Sequence, residues 1–290
     1  MLSPKAMRFE LRKIYADVLA PDGTVCLMYL AWVRLWRRWY ASAGVEIHAP
    51  DGGQQVLHAR AVPPPVASDA RISELPLQLD LVDGTRFRID YESASAPWTP
   101  PLSACPDLLW SVKMPRGAAR VRHGDRELFG TGYVDWVQMT RPSRALGLQR
   151  LEWGRVHQPS RTIVFERLQL AGGAVWGPAL LIGHDGNVSA TTTGVDVHDD
   201  GSARVRFDVD ELVDITPIRV LHDGDAFDRA RVPRLIDRTV CKVLGGAHWQ
   251  RRWLGDTRGG GLALYESVLF GREARRQAAR ARSLACGARA

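Results

Sequence analysis

The sequence is short of cysteine, of long apolar runs and of cofactor signatures, and each shortage closes off a class of protein. Four cysteines in 290 residues (Cys26, Cys105, Cys241 and Cys286) lie far apart, with no Cys-x-x-Cys or Cys/His pairing. That spacing argues for free thiols in a reducing cytoplasm and against a zinc site. No stretch reaches the roughly 18 uncharged apolar residues a membrane helix needs. The best run, from Val25 to Val33, is stopped by Arg34, Arg37 and Arg38. Arg8, Glu10, Arg12 and Lys13 stand where a signal peptide would carry its apolar region. Also missing are a strand followed by Gly-x-Gly-x-x-Gly, a Walker-type loop, a His-Glu-x-x-His and a Gly-x-Ser-x-Gly. The run Gly259-Gly260-Gly261 has no helix start behind it, and His157, His184, His198, His222 and His248 are scattered. An enzyme built on this chain is expected to work with side chains alone, without metal or cofactor.

What is present is ordinary in bulk: 45% hydrophobic and 24% charged residues, which excludes a disordered or collagen-like chain. The net charge of +7 is unevenly placed. From Arg272 onward there are six arginines against one glutamate, so this tail alone carries +5. Its Ala/Arg composition favours helix. It reads either as a solvated terminus or as a surface for anionic lipid, where each arginine is worth about 1 kcal/mol. No aromatics are interleaved in the tail to stack on bases, and no recognition motif is visible, so nucleic acid is not the expected partner.

The dominant local signal is Asp-Gly, at Asp22-Gly23, Asp51-Gly52, Asp83-Gly84, Asp185-Gly186, Asp200-Gly201 and Asp223-Gly224. Between alternating apolar runs it is the strongest short hairpin cue, read here as the two central residues of a type I′ turn. Leu77, Leu79 and Leu81 alternate before Asp83-Gly84, and Phe87, Ile89 and Tyr91 alternate after it. Val195 to Val209 repeats the pattern, and Ile163 to Leu170 reads as another strand. Helical signals are few: Ala31 to Ala43, Val232 to Leu244 and the tail. Pro63-Pro64-Pro65 reads as a stiff loop inside the first half. Many short strands with regular turns predict an all-β chain of two barrels. The expected division is a first barrel over 1–155, a second over 156–271 and a basic tail over 272–290, with the boundary near Gln158-Pro159-Ser160.

The block from Trp110 to Val156 holds three of the ten tryptophans, Trp110, Trp136 and Trp153. Within it, strand alternation puts Tyr133 and Asp135 on one face. A carboxyl group beside a phenol on an apolar, aromatic wall is a candidate general acid, because desolvation disfavours its charged form. The competing reading pairs Asp135 with Arg155 or another arginine, which would depress its pKa. Trp110 and Trp153 are candidates either for the core or for a site, where indole faces stabilise a developing cation.

These stretches resemble the carotenoid 1,2-hydratase (hydroxyneurosporene synthase) family and its tandem lipocalin-like relatives. The likeness is carried by Ile14-Tyr15-Ala16-Asp17-Val18 with Pro21-Asp22-Gly23-Thr24, and by Trp110 to Arg116. It continues through Gly130-Thr131-Gly132-Tyr133-Val134-Asp135, Leu151-Glu152-Trp153-Gly154-Arg155 and Gly261 to Glu266. The resemblance implies a cofactor-free reaction in which an acid protonates an isoprenoid double bond and water captures the tertiary cation. Asp135 would then be the donor and Tyr133 its hydrogen-bonding neighbour, with Leu108, Trp110, Trp136, Trp153 and Tyr15 against the substrate. Leu108 stands where the family has histidine, and Trp136-Val137 where polar residues often follow the aspartate. Both changes dry the site, which opens cyclisation or isomerisation beside hydration. A pericyclase shaping a polyene and a non-catalytic carrier of a hydrophobic isoprenoid or lipid are the alternatives. The expected setting is cytoplasmic, with the basic tail touching the inner face of the membrane. Tyr265 and Glu266 are further candidates from the second barrel.

Overall fold

The structure is a computed structural model that describes residues 9–35, 37–60, 77–93, 95–99, 107–207, 211–226, 246–258 and 260–287. The chain divides into two compact units, built in the main from residues up to Arg141 and from Pro142 onward. The expected loop at Pro63-Pro64-Pro65 and helix at Val232 to Leu244 lie outside the described residues, as do Cys105 and Cys241.

The first unit is one antiparallel sheet of eight strands. In chain order these are β1 (Phe9–Leu19), β2 (Val25–Leu35), β3 (Arg38–His48), β4 (Gln54–His58), β5 (Gln78–Asp80), β6 (Arg86–Ser93), β7 (Leu108–His123) and β8 (Arg126–Met139). They are ordered β4-β3-β2-β1-β8-β7-β6-β5. The two ends meet. Ala59 and Leu81 form an antiparallel bridge, the Arg60 N–H donates to the Asp80 carbonyl at 2.9 Å, and the Val82 N–H donates to the His58 carbonyl at 2.9 Å. Closure removes the edges that would otherwise template aggregation. One face of every strand feeds a single buried cluster that includes Ile14, Met28, Trp32, Val45, Phe87 and Trp136. An eight-stranded barrel is just wide enough inside for its own side chains or one small ligand, and this cluster occupies the inner face.

The second unit is a nine-stranded sheet. Its strands are β9 (Leu148–His157), β10 (Arg161–Leu170), β11 (Val175–Trp176), β12 (Pro178–Gly183), β13 (Val188–Val197), β14 (Ala203–Phe207), β15 (Glu211–Asp225), β16 (His248–Thr257) and β17 (Gly261–Phe270). Pairing runs from β10 through β12 to β17 and on to β9, and β9 pairs back onto β10, so this sheet also closes. Its interior holds Phe165, Phe207, Trp253 and Tyr265 among others. A short helix α1 (Ser143–Leu146) precedes β9, and α2 (Gly271–Gly287) follows β17 and packs on β16 and β17. The all-β tandem-barrel class and the helical tail are as the sequence predicts.

Three local expectations change. The proposed helix from Ala31 to Ala43 is the β2–β3 hairpin, paired through Leu35 and Arg38. Both faces of β2 are largely buried, so its side chains read as a continuous apolar run rather than an alternation. The boundary near 155 falls inside β9, which belongs wholly to the second sheet. Gln158 and Arg161 exchange backbone hydrogen bonds, so Gln158-Pro159-Ser160 is a hairpin turn and not a linker. Asp-Gly marks turns at five of its six sites, but in a different geometry. In Ala20-Pro21-Asp22-Gly23 the Gly23 N–H donates to the Ala20 carbonyl at 3.0 Å, so Asp-Gly fills the last two turn positions. Gly23 has φ 84°, and the Asp22 carboxylate accepts the Thr24 N–H at 2.8 Å. The same carboxylate cap recurs at Asp51, Asp83, Asp185 and Asp200. The sixth, Asp223-Gly224, lies within β15 opposite Arg251 and Gln250.

Within the Gly130-Thr131-Gly132 segment, Gly132 sits under the Tyr91 ring, and a Cβ there would overlap ring carbons of Tyr91. This contact seats β8 between β1 and β7. Gly132→Ala is therefore expected to cost about 1–3 kcal/mol by overpacking. A urea midpoint equal to that of the wild type would show that Tyr91 yields freely.

Candidate active site

Strand alternation sends residues 13, 15 and 17 of β1 and residues 133, 135 and 137 of β8 to the face turned away from the filled interior. The register builds them into rows. Tyr29, Tyr15, Asp135 and Val112 lie side by side across β2, β1, β8 and β7. The next row on one side is Leu27, Asp17 and Tyr133, and on the other Ala31, Lys13, Val137 and Trp110. Tyr15-x-Asp17 and Tyr133-x-Asp135 thus meet antiparallel, each tyrosine opposite the other strand's aspartate. This outer face is nevertheless dry: Tyr15, Asp17, Trp110, Val112, Tyr133 and Asp135 are all buried, with Asp135 at 4% exposure.

Asp135 receives two hydrogen bonds on a single oxygen. The Trp110 indole N–H donates to Oδ2 at 3.1 Å and the Tyr133 hydroxyl donates to the same atom at 3.0 Å. Oδ1 is buried with no hydrogen-bond partner. Among the described residues Asp135 makes no ion pair, so the reading that an arginine clamps it does not hold; Arg155 is a buried residue of β9. Burial raises the carboxyl pKa to about 7, against the lowering pull of the Lys13 charge and the two hydrogen bonds, and the Asp17 charge adds to the rise. Aromatic rings surround the group. Tyr15 lies 6.2 Å from Tyr133 and 5.5 Å from Tyr29 between centroids, and Trp98 meets Trp110 edge-on at 5.7 Å. The segment bearing Trp98 is held by a reciprocal backbone pair with Val112, both bonds 2.8 Å.

Of the residues singled out by sequence, the structure gathers Asp135, Tyr133, Trp110 and Tyr15 on this face. Leu108, half-buried at the start of β7 opposite Met139, shares it. Trp136 does not: it points the other way into the barrel interior. Trp153 is a residue of the second barrel, set across the sheet from Glu166 and Glu266. The two second-barrel candidates are occupied structurally. Tyr265 stacks on Trp253 at 5.3 Å and donates its hydroxyl to the Gly201 carbonyl. Glu266 is ion-paired with Arg252 and accepts from Gln250 at 2.8 Å. Lys13, Asp17, Tyr29 and Trp98 were not foreseen as site residues, although the doubled Tyr-x-Asp pattern pointed to Asp17. No group of three or more His, Cys, Asp or Glu residues is placed to hold a metal ion among the described residues.

No protein-family profile matches the sequence, and no curated protein does. Solved structures match in fold. An AttH-type protein from Nitrosomonas europaea aligns over 92% of this chain and 94% of its own at 12% identity and a TM-score of 0.53. CghA aligns over 91% and 88% at 11% identity and 0.61. Kievitone hydratase from Nectria haematococca aligns over 90% and 88% at 9% identity and 0.50. The fold is thus the tandem lipocalin-like fold of the AttH type.

Because the folded state holds a proton on Asp135 up to about pH 7 that the unfolded chain releases near its ordinary value of 3.8, stability from this group is full at low pH. It is lost as pH climbs through that interval. Asp135→Asn removes the ionisation, so its stability relative to wild type is expected to rise between pH 5 and 8, by an amount on the order of a few kcal/mol. Urea titrations across that range check this, and parallel pH profiles would contradict it.

Proposed function

We propose that the protein is a cofactor-independent enzyme that protonates a double bond of a hydrophobic isoprenoid or polyene and completes a hydration or a cyclisation. The observation that carries this reading is the division of labour between the two oxygens of Asp135. Oδ2 already accepts two donors, so the acid proton belongs on Oδ1, which no protein acceptor competes for. Transfer of that proton to an alkene carbon leaves a carboxylate whose charge falls on the atom that Trp110 and Tyr133 stabilise. The donor is therefore bare before the step and solvated by fixed dipoles after it. The tertiary cation formed opposite faces the π-surfaces of Tyr15, Trp110 and Tyr133, which attract positive charge. Water then adds and gives up a proton that restores the Asp135 acid, or a second double bond adds and closes a ring, and the new ring cation loses a proton to the Asp135 carboxylate. Kievitone hydratase is by its name a hydratase, and that likeness supports the same class of chemistry.

Linear polyprenoids (geranylgeranoic acid, geranylgeraniol and lycopene) incubated with the enzyme in heavy water test the reading. Deuterium is expected on product carbon, and the gain in mass separates hydration from cyclisation. Asp135→Asn is expected to lower turnover by roughly 10²–10⁴-fold, the usual contribution of a general acid, while ligand binding persists. A pericyclase would keep its rate in the variant and incorporate no deuterium, and a carrier would return its ligand unchanged. Either result overturns the proposal.

The partner surface proposed with it is the basic helix. Ala274 is buried against the second barrel, whereas Arg272, Arg275, Arg276, Arg280 and Arg282 are all exposed. We take this face to rest on anionic lipid, from which a hydrophobic substrate is drawn. Replacing these five arginines by glutamine is expected to abolish co-sedimentation with phosphatidylserine vesicles and to spare turnover of detergent-dispersed substrate. Unchanged co-sedimentation would remove the membrane role.

A further inference from the structure

The face that bears Asp135 also bears an ammonium group that pairs with no carboxylate among the described residues. Lys13 precedes Tyr15 by one alternate position on β1, with Ala31 and Val137 as its cross-strand neighbours. Its Nζ lies 5.7 Å from the Tyr15 ring centroid and 5.7 Å from that of Tyr29. Among the described residues it makes no ion pair and no hydrogen bond. Two rings flank the cation, and no described residue accepts from its three N–H donors.

Lys13 is half-buried beside the two rings, and its charge meets no carboxylate within ion-pair distance among the described residues. It also works against its neighbour. The Lys13 charge favours ionisation of Asp135, opposing the burial that keeps the acid protonated. The conflict is relieved when an anion settles on Lys13, because the positive charge is then matched and Asp135 retains its proton until the step that uses it.

We infer that Lys13 anchors an oxyanion, a carboxylate or an enolate, carried by the hydrophobic substrate, which is therefore an amphiphilic polyene acid and not a plain hydrocarbon. In the register Lys13 is diagonal to Asp135, which corresponds to about 7–8 Å between Cα atoms. The anion and the protonated double bond accordingly belong to the same end of the molecule. A single ammonium suits a monoanion; a diphosphate would call for several cations. The inference rests on the reading of Asp135 as proton donor in treating this ligand as the substrate, but its test needs no turnover.

The experiment follows quenching of intrinsic tryptophan fluorescence in the full chain at pH 6, where Asp135 keeps its proton and a carboxylic acid ligand is ionised, by retinoic acid, retinol, geranylgeranyl diphosphate and geranylgeraniol. Retinoic acid is expected to bind about 10-fold or more tighter than retinol, the effect of one charge-assisted contact, with no comparable gain for the diphosphate over its alcohol. Lys13→Met is expected to erase the preference while leaving retinol affinity unchanged, and Lys13→Arg to retain most of it. Equal binding of acid and alcohol by the wild type, or a preference that survives Lys13→Met, overturns the inference. Asp135→Asn should keep the preference for the acid, so failure of the proton-transfer reading and failure of this one show up in different measurements.

Discussion

Pairing β1 against β8 places Tyr15 opposite Asp135 and Asp17 opposite Tyr133, and the surroundings of Asp135 descend from that register. A one-residue slip of β8 would turn Asp135 to the barrel interior, where Val134 and Trp136 now sit. Gly132 contributes to fixing the register by letting the Tyr91 ring close over the strand. The acid is thus held by backbone pairing, a rigid support, and not by a loop. Its environment then follows from its neighbours. Water is excluded, two neutral donors point at one oxygen, and the second oxygen is left bare. Neutral donors moderate the pKa without abolishing the proton, which a guanidinium in the same place would do.

The interior of the first barrel holds its buried cluster, and Asp135 with its hydrogen-bonding neighbours lies on the opposite, outer face. That surface must be buried to work, so β1, β2 and β8 carry apolar or aromatic residues on both faces. The cost appears in the sequence as a loss of alternation. Val25 to Val33 holds residues of the inner cluster (Cys26, Met28, Leu30, Trp32) and residues of the outer face (Leu27, Tyr29, Ala31) in one uninterrupted apolar stretch. Period two disappears from the hydropathy pattern although it persists in the structure.

This explains which parts were legible beforehand. The hairpins flanking Asp83-Gly84 and Asp200-Gly201 have one polar face, so alternation and turn residues together identify them, and the all-β tandem class follows. The β2–β3 hairpin was mistaken for a helix because both of its faces are committed. Tyr133 and Asp135 could be placed together because they share one strand, two residues apart. Trp110 was flagged by its likeness to a family element, and its bond to Asp135 required the register of β7. Trp136 was misplaced by proximity in sequence: adjacent strand residues face opposite ways. Lys13 gave no signal at all, since a lysine near a chain end reads as surface until the strand pairing shows which face it occupies.

Burial alone does not make an acid, and the molecule contains its own control. Glu266 is 7% exposed and Asp135 is 4% exposed, so water is nearly equally absent from both. Glu266 stands directly opposite Arg252 in the β16–β17 ladder, and the guanidinium binds its carboxylate through two nitrogens. That pair is a structural unit: the charge is matched, and removing the arginine would leave an isolated anion in a dry place. Asp135 has a tyrosine across from it and an indole beside it, neither of which carries charge. The pKa of about 7 places it where a proton donor is most effective near neutrality. Two carboxyl groups with similar burial therefore arrive at opposite electrostatic states, one ion-paired and one with its pKa raised. The difference lies in one cross-strand neighbour, an arginine in the second barrel and a tyrosine in the first.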